Sequence, residues 1–202
     1  MLSKLVDFLK DKPFVLSAGI MRSGSTMVYN TLGQILLAKY GDGLVTGWQN
    51  DMVNPQVGDY YLIKTHDMSP FFEANPEHIF FTYRDLRTVE VSMNRFFNTP
   101  YSSGAIGYYI LEYMRALKNN AVMIRYENLT QRPTETIAVI AKKLDIKVNP
   151  VDVYAKIMNI ELPGHFTHTK DEEWRALIPE DTQKEITRDY SWWFEECGYP
   201  VE

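Results

Sequence analysis

The chain has little cysteine, and it lacks any long apolar run. Because Cys197 is the only cysteine, no disulfide can form within the chain, which is typical of a reducing compartment. We expect Cys197 to be a small buried residue rather than a catalytic thiol. No segment approaches the roughly 20 apolar residues of a membrane-spanning helix, and charges interrupt the N-terminal apolar residues where a secretory signal would have none. These absences predict a cytoplasmic protein with no membrane partner.

Positive charge is also scarce. The chain has 21 Lys and Arg residues against 26 Asp and Glu residues, a net charge of −5. This balance argues against a nucleic-acid partner, although it leaves room for a local basic pocket. No repeat, low-complexity tract or Gly/Ser linker divides the 202 residues, and 45% of them are hydrophobic, enough for one well-filled core. The sequence therefore predicts a single domain over residues 1–202.

What is present is an alternation of strand and helix patterns. Short apolar runs typical of buried strands are "FVLSAG" from Phe14, "DYYLIKTH" from Asp59, "HIFFTYR" from His78 and "AVMIRY" from Ala121. Segments with helical spacing follow them, such as "STMVYNTLGQILLAKY" and "LRTVEVSMNRFF". This order predicts an α/β fold with three αβα layers around a central parallel sheet. In such sheets, binding residues collect at the carboxyl ends of the strands.

The first polar motif, "GIMRSGST", connects a predicted strand to a predicted helix. Gly19 and Gly24 keep the spacing of the Walker phosphate loop, whose backbone amides bind phosphate at a helix N-terminus. Ser25 stands where that loop has its lysine, and the cation is Arg22, inside the loop. The motif predicts a P-loop-like phosphate-binding loop; the alternative is a tight turn with an incidental arginine.

Two further motifs lie at strand ends. Lys64 and His66 are two residues apart in an extended segment, so they project from the same face, unless "KTH" only marks a solvated strand end. Arg84 ends the next strand, and Ser92 follows eight residues later, so both could bind one phosphate. The alternative is that Asp85 caps a helix, Ser92 lies on its surface and the arginines pair with acids.

In their order along the chain, these motifs resemble those of the 3′-phosphoadenosine-5′-phosphosulfate (PAPS)-dependent sulfotransferases. "RSGST" is similar to the family loop for the 5′-phosphate, "KTH" to its catalytic segment, "RDLRTVEVS" to its 3′-phosphate signature and "RYENL" to a segment whose tyrosine contacts adenine. Met27 departs from the family, which often has tryptophan there.

The resemblance implies a role for each matched residue. His66 would be the catalytic base, with Lys64 and Arg22 stabilising the transferring group. The residues implied in nucleotide binding are Arg22, Ser23, Gly24, Ser25, Thr26, Arg84, Ser92 and Tyr126. For Tyr126 the alternative is packing beneath the following helix. His168 and Lys170 are candidates to replace basic residues that the family places near the 3′-phosphate.

The resemblance also implies the reaction. A sulfuryl group would move from PAPS to a hydroxyl or amine of a small-molecule acceptor, and 3′,5′-adenosine bisphosphate (PAP) would be released without a metal ion. The aromatic segment "NRFFNTPYSSGAIGYY" is expected on the acceptor side, unless it is an ordinary helix connection. The alternative functions are a P-loop nucleotide or small-molecule kinase on the same fold and a non-catalytic PAP-binding protein. The oligomeric state is left open, with a homodimer as one arrangement.

Overall fold

A five-stranded parallel sheet forms the centre of the molecule. The computed structural model describes residues 2–52, 55–101, 104–160 and 173–201. The strands are β1 (Phe14–Gly19), β2 (Leu44–Trp48), β3 (Tyr60–Lys64), β4 (His78–Tyr83) and β5 (Val122–Arg125). Their order across the sheet is β2-β3-β1-β4-β5, and every neighbouring pair is parallel. The predicted fold class is therefore confirmed.

Helices cover both faces of this sheet. They are α1 (Leu2–Leu9), α2 (Ser25–Tyr40), α3 (Leu86–Phe97), α4 (Gly104–Lys118), α5 (Tyr126–Gln131), α6 (Pro133–Lys143), α7 (Pro150–Met158), α8 (Trp174–Leu177) and α9 (Glu180–Cys197). Asp85 caps α3 as the sequence suggested, because its carboxylate accepts the Arg87 N–H at 2.9 Å. Within the described ranges, no helix has the length and apolar character needed to cross a bilayer.

Alternation along the strands divides the core between the two faces. On β1, Val15 packs with α2, α6 and α7, whereas its neighbour Leu16 packs with α1, α4 and α9. Both side chains are fully buried, as expected for a parallel sheet covered on each side. The three layers bury both faces of the sheet, and the ends of its central strands remain accessible to a ligand.

The connections diverge at the centre of the sheet. After β1 the chain crosses one face through α2 to reach β2, and after β4 it crosses the other face through α3 and α4 to reach β5. A crevice therefore opens at the carboxyl ends of β1, β3 and β4, which lie side by side. All three predicted polar motifs follow one of these strands.

Four of the strands and α-helices were missed from the sequence, namely β2, α5, α7 and α8. β2 is an edge strand with a glycine in its middle, so its own residues carry a weak strand signal. It forms by pairing along its length with β3, a contact that local sequence does not show. α7 did have a signal, because Asn149 caps it and Pro150 occupies its first position.

Candidate active site

A cavity of about 330 Å³ opens at the carboxyl edge of the sheet. Of the sequence-predicted site residues that the structure describes, all except Ser23 line it, namely Arg22, Gly24, Ser25, Thr26, Lys64, His66, Arg84, Ser92 and Tyr126. They come from the loop after β1, the ends of β3 and β4, the starts of α2 and α5, and the middle of α3. The fold thus brings together residues that are up to 104 positions apart, counting from Arg22 to Tyr126.

The loop after β1 presents the N-terminus of α2 to the cavity. Gly24 precedes the helix in the left-handed conformation, with φ of 86°. A β-carbon there would also lie only 3.0 Å from Leu129 and 3.1 Å from Tyr126, so glycine is required. The amide of Val28 is bonded back to Gly24 at 3.2 Å, whereas the amides of the first turn have no carbonyl within the helix. This geometry suits an anion.

Ser23 lies differently from its neighbours. Its hydroxyl is within hydrogen-bonding distance of the Ile20 carbonyl (2.5 Å), the Thr82 carbonyl (3.0 Å) and the Thr82 hydroxyl (2.6 Å). Its amide donates to the Ile20 carbonyl at 3.2 Å. Ser23 therefore connects the loop to β4. Because its hydroxyl is bonded to these protein groups, its position does not support the predicted phosphate contact.

Two arginines approach the cavity from different elements. The Arg22 Nε donates to the Ser92 hydroxyl at 3.0 Å, and its guanidinium lies 4.4 Å from the centre of the Phe96 ring. Arg84 is 1% exposed, and its guanidinium stacks 3.8 Å from the centre of the Tyr126 ring. Burial, followed by the positive charge of Arg84, lowers the pKa of Arg22. Arg84 is buried and Arg22 is half-buried, and two cations that repel one another in this way would both gain from a bound anion.

Lys64 adds a third cation at the start of α2. Its ammonium donates to the Thr26 hydroxyl at 2.6 Å and lies 5.0 Å from the centre of the Trp48 ring. The residue is 7% exposed, and no carboxylate in the described ranges pairs with it. Burial lowers the pKa of Lys64 to about 8. A phosphate or sulfate group beside it would raise that pKa back toward its usual value.

His66 is held in one protonation state. Its Nδ1 lies 2.7 Å from the Gly19 carbonyl, which can only accept, so Nδ1 carries the proton. The lone pair is then on Nε2. Burial lowers the pKa of His66, and nearby Lys64 lowers it further, so the ring is neutral at pH 7. A neutral imidazole with a fixed tautomer can accept a proton from a bound hydroxyl or amine.

The cavity contrasts with the rest of this acidic chain. Three cations line it, and none of the lining residues that the structure describes is Asp or Glu. Across residues 2–52, 55–101, 104–160 and 173–201, no three His, Cys, Asp or Glu side chains group in a way that could hold a metal ion. The arrangement selects for a small ligand that carries several negative charges.

Several lining residues were not predicted individually. Phe96 and Phe97 lie within the aromatic segment expected on the acceptor side, but Trp48 was missed together with β2. The edge of Trp48 meets the His66 ring at 5.3 Å between ring centres. An isolated tryptophan has no sequence signal for a site, because only the pairing of β2 with β3 places it beside Lys64. His168 and Lys170 lie outside the described residues.

Comparisons with known proteins identify the fold. The sequence matches no protein-family model and no curated protein. Mouse sulfotransferase SULT7A1 complexed with PAP superimposes with a TM-score of 0.61 at 13% identity, covering 92% of this chain and 88% of that one. Retinol dehydratase with retinol and PAP gives a TM-score of 0.57 at 14% identity, covering 88% of this chain and 80% of that one. Retinol dehydratase with androsterone and inactive cofactor PAP gives a TM-score of 0.55 at 15% identity, covering 93% of this chain and 83% of that one. The chain therefore has the fold of PAPS-dependent sulfotransferases.

Proposed function

We propose that the protein transfers a sulfuryl group from PAPS to a hydroxyl or amine of a small acceptor and releases PAP. One observation carries the proposal. Three cations, a helix N-terminus and a neutral histidine share one cavity with no carboxylate among its described lining residues. The solved structures with this fold contain PAP, which has phosphates at both ends of a nucleoside, and the three cations of the cavity come from separate elements, the loop after β1 and the ends of β3 and β4. The fold and the charge pattern thus favour the same ligand.

Each end of the nucleotide has its own residues in this proposal. The first amides of α2, with Arg22 and Lys64, bind the 5′-phosphate and the sulfuryl oxygens. Arg84 and Ser92 bind the 3′-phosphate, and the hydrogen bond from Arg22 to Ser92 links the two groups. Gly24 and Tyr126 shape the wall between them. PAPS itself supplies the sulfuryl group on a phosphate leaving group.

The chain's own chemistry is then proton transfer and charge stabilisation. The acceptor hydroxyl or amine gives its proton to Nε2 of His66 as its oxygen or nitrogen bonds to sulfur. The bond from sulfur to the 5′-phosphate oxygen breaks, and negative charge develops on that phosphate. Lys64 and Arg22 stabilise this charge in a site from which water is partly excluded. Aromatic residues, including Trp48 and Phe96, hold the acceptor beside His66.

The test is a transfer assay with a binding control. Protein is incubated with PAPS and a panel of phenols, alcohols, amines and sugars, and mass spectrometry detects the sulfated acceptor and PAP. A parallel arm with ATP and Mg²⁺ distinguishes phosphoryl transfer. PAP binding is measured by calorimetry. Product in the PAPS arm supports the proposal; failure to bind PAP at all, or transfer only from ATP, overturns it.

His66→Ala tests the assigned base. Turnover is expected to fall by about 10²–10⁴-fold, the usual contribution of a positioned general base. PAP affinity is expected to stay near that of the unchanged protein, because no phosphate contact is assigned to His66. His78→Ala is the matched control, since His78 begins β4 at the opposite end of the sheet. Unchanged turnover in His66→Ala would remove His66 from the role.

A further inference from the structure

His66 lies beyond the part of the chain that the sheet holds. β3 ends at Lys64, and the last bond to the neighbouring strand is from the Thr65 amide to the Ser17 carbonyl, at 3.0 Å. Residues 65–68, named here the histidine loop, have no regular structure. The orientation of the His66 ring therefore depends on contacts that this loop makes elsewhere.

Helix α4 contacts the histidine loop at two backbone groups. The Tyr108 hydroxyl donates to the His66 carbonyl at 3.2 Å, and the Met68 amide donates to the Glu112 carboxylate at 3.0 Å. Tyr108 and Glu112 are one helical turn apart, so they project from the same face of α4. Neither side chain is among those that line the cavity. Their effect on a bound ligand must therefore pass through the loop.

Both side chains are in the state that these bonds require. Burial and the neighbouring Glu112 carboxylate raise the pKa of Tyr108 to about 12, so its phenol keeps the proton that it donates. Glu112 is 2% exposed and pairs with Arg115 on the next turn. That pairing stabilises the charged carboxylate, which is a strong acceptor for the Met68 amide. A buried carboxylate whose bonds go to the histidine loop and to Arg115 is more than a packing residue.

We propose that Tyr108 and Glu112 are positioning residues for His66. The Gly19 carbonyl binds Nδ1 of the ring, and α4 holds the backbone that follows the ring, at the His66 carbonyl and the Met68 amide. Together they keep the proton on Nδ1 and the lone pair of Nε2 available to the cavity. The expected effect on turnover rests on the proposed function, whereas the expected effect on the His66 tautomer does not.

The ring is tested without any ligand, by ¹⁵N NMR of histidine in the whole chain. The unchanged protein is expected to show one His66 tautomer, protonated at Nδ1. Tyr108→Phe and Glu112→Met remove one hydrogen bond each, and both tautomers are expected to become populated. Glu112→Gln keeps an oxygen that accepts the Met68 amide, and it is expected to retain the single tautomer. Tyr109→Phe is the matched control, because that hydroxyl on the same helix is not bonded to the histidine loop.

Turnover gives the second readout. In Tyr108→Phe, kcat is expected to fall about three- to tenfold, the effect of one lost hydrogen bond, with KM for PAPS unchanged. Glu112→Gln is expected to lie closer to the unchanged protein than Glu112→Met. A structural role alone would lower stability without separating kcat from KM or changing the tautomer.

The outcomes separate the two proposals. If Glu112→Met does not fold, Tyr108→Phe provides the test, because Tyr108 is 42% exposed and the substitution removes only a hydroxyl. A single Nδ1 tautomer in Tyr108→Phe overturns the positioning role, whether or not kcat falls. If the unchanged protein transfers no sulfuryl group, the proposed function fails, and the tautomer measurement still decides what α4 does.

Discussion

Arg84 is the residue on which the charge of the cavity depends most directly, because it is buried against Tyr126 and lies close enough to Arg22 to lower its pKa. An anion bound between two neighbouring guanidinium groups offsets their repulsion. The proposed function therefore assigns both arginines to PAP binding.

Arg84→Ala is expected to weaken PAP binding by about 10- to 100-fold, the range for a lost charge-assisted hydrogen bond. Isothermal calorimetry measures the affinity, and circular dichroism checks that the variant is folded. Arg132→Ala is the matched control, because Arg132 is exposed and does not line the cavity. Equal affinity in Arg84→Ala and the unchanged protein would contradict the 3′-phosphate assignment.

The lowered pKa of Lys64 predicts that PAP binding depends on pH. Its pKa is about 8 in the free protein because burial disfavours the charged form, and a bound phosphate raises that pKa. Binding therefore takes up a proton above pH 8, so PAP affinity is expected to fall as the pH rises through this value, by at most about tenfold per pH unit. In Lys64→Met the affinity is expected to be lower at pH 7 and nearly flat from roughly pH 7 to 9. A slope that persists in Lys64→Met would assign the proton to another group.

At the scale of elements, Arg87 connects the start of α3 with the C-terminal part of the chain. Its side chain is fully buried, with the guanidinium 3.9 Å from the centre of the Trp174 ring and 4.3 Å from that of Phe194. It donates to both carboxylate oxygens of Asp85, at 3.0 and 2.6 Å, and to the Pro200 carbonyl at 2.7 Å. α3, α8, α9 and the C-terminal residues thus meet at one side chain.

Arg87→Met is expected to lower the free energy of unfolding by about 3–5 kcal/mol, because it leaves the Asp85 carboxylate buried without its partner. Urea denaturation followed by tryptophan fluorescence measures the loss. Arg188→Met removes an arginine from an exposed ion pair with Asp189 and is expected to change stability little. Similar stabilities for the two variants would show that Arg87 is not a structural anchor.

Some elements of the fold could be predicted from local sequence patterns, and others could not. The strands of the sheet centre were predicted because their residues are apolar on both faces, which is a local signal. β2 was missed because it lies at the edge and depends on β3, and with it Trp48 was missed. Ser23 matched a family motif by its position, yet its hydroxyl is bonded to the carbonyl and hydroxyl of one β4 residue, Thr82, which lies 59 positions later.

At the level of the whole molecule, an acidic chain contains a cationic cavity. The net charge of −5 disfavours long polyanions, whereas the cavity suits a small anion that fits between strand ends. The average composition therefore argues against nucleic acid as a partner, but it does not describe the site. An acidic chain can contain a cationic cavity because the parallel topology collects the basic residues that follow three strands at one edge of the sheet.

Local sequence patterns indicate which residues stand at strand ends and which share a face, because the periods of strand and helix are local properties. Lys64 and His66, and Arg84 with Ser92, were identified in this way. Long-range packing places these groups around one cavity, directs the Ser23 hydroxyl away from it, and brings Tyr108 and Glu112 to the histidine loop. Strand order and helix packing arise from contacts between residues far apart in the chain, and no local pattern encodes them.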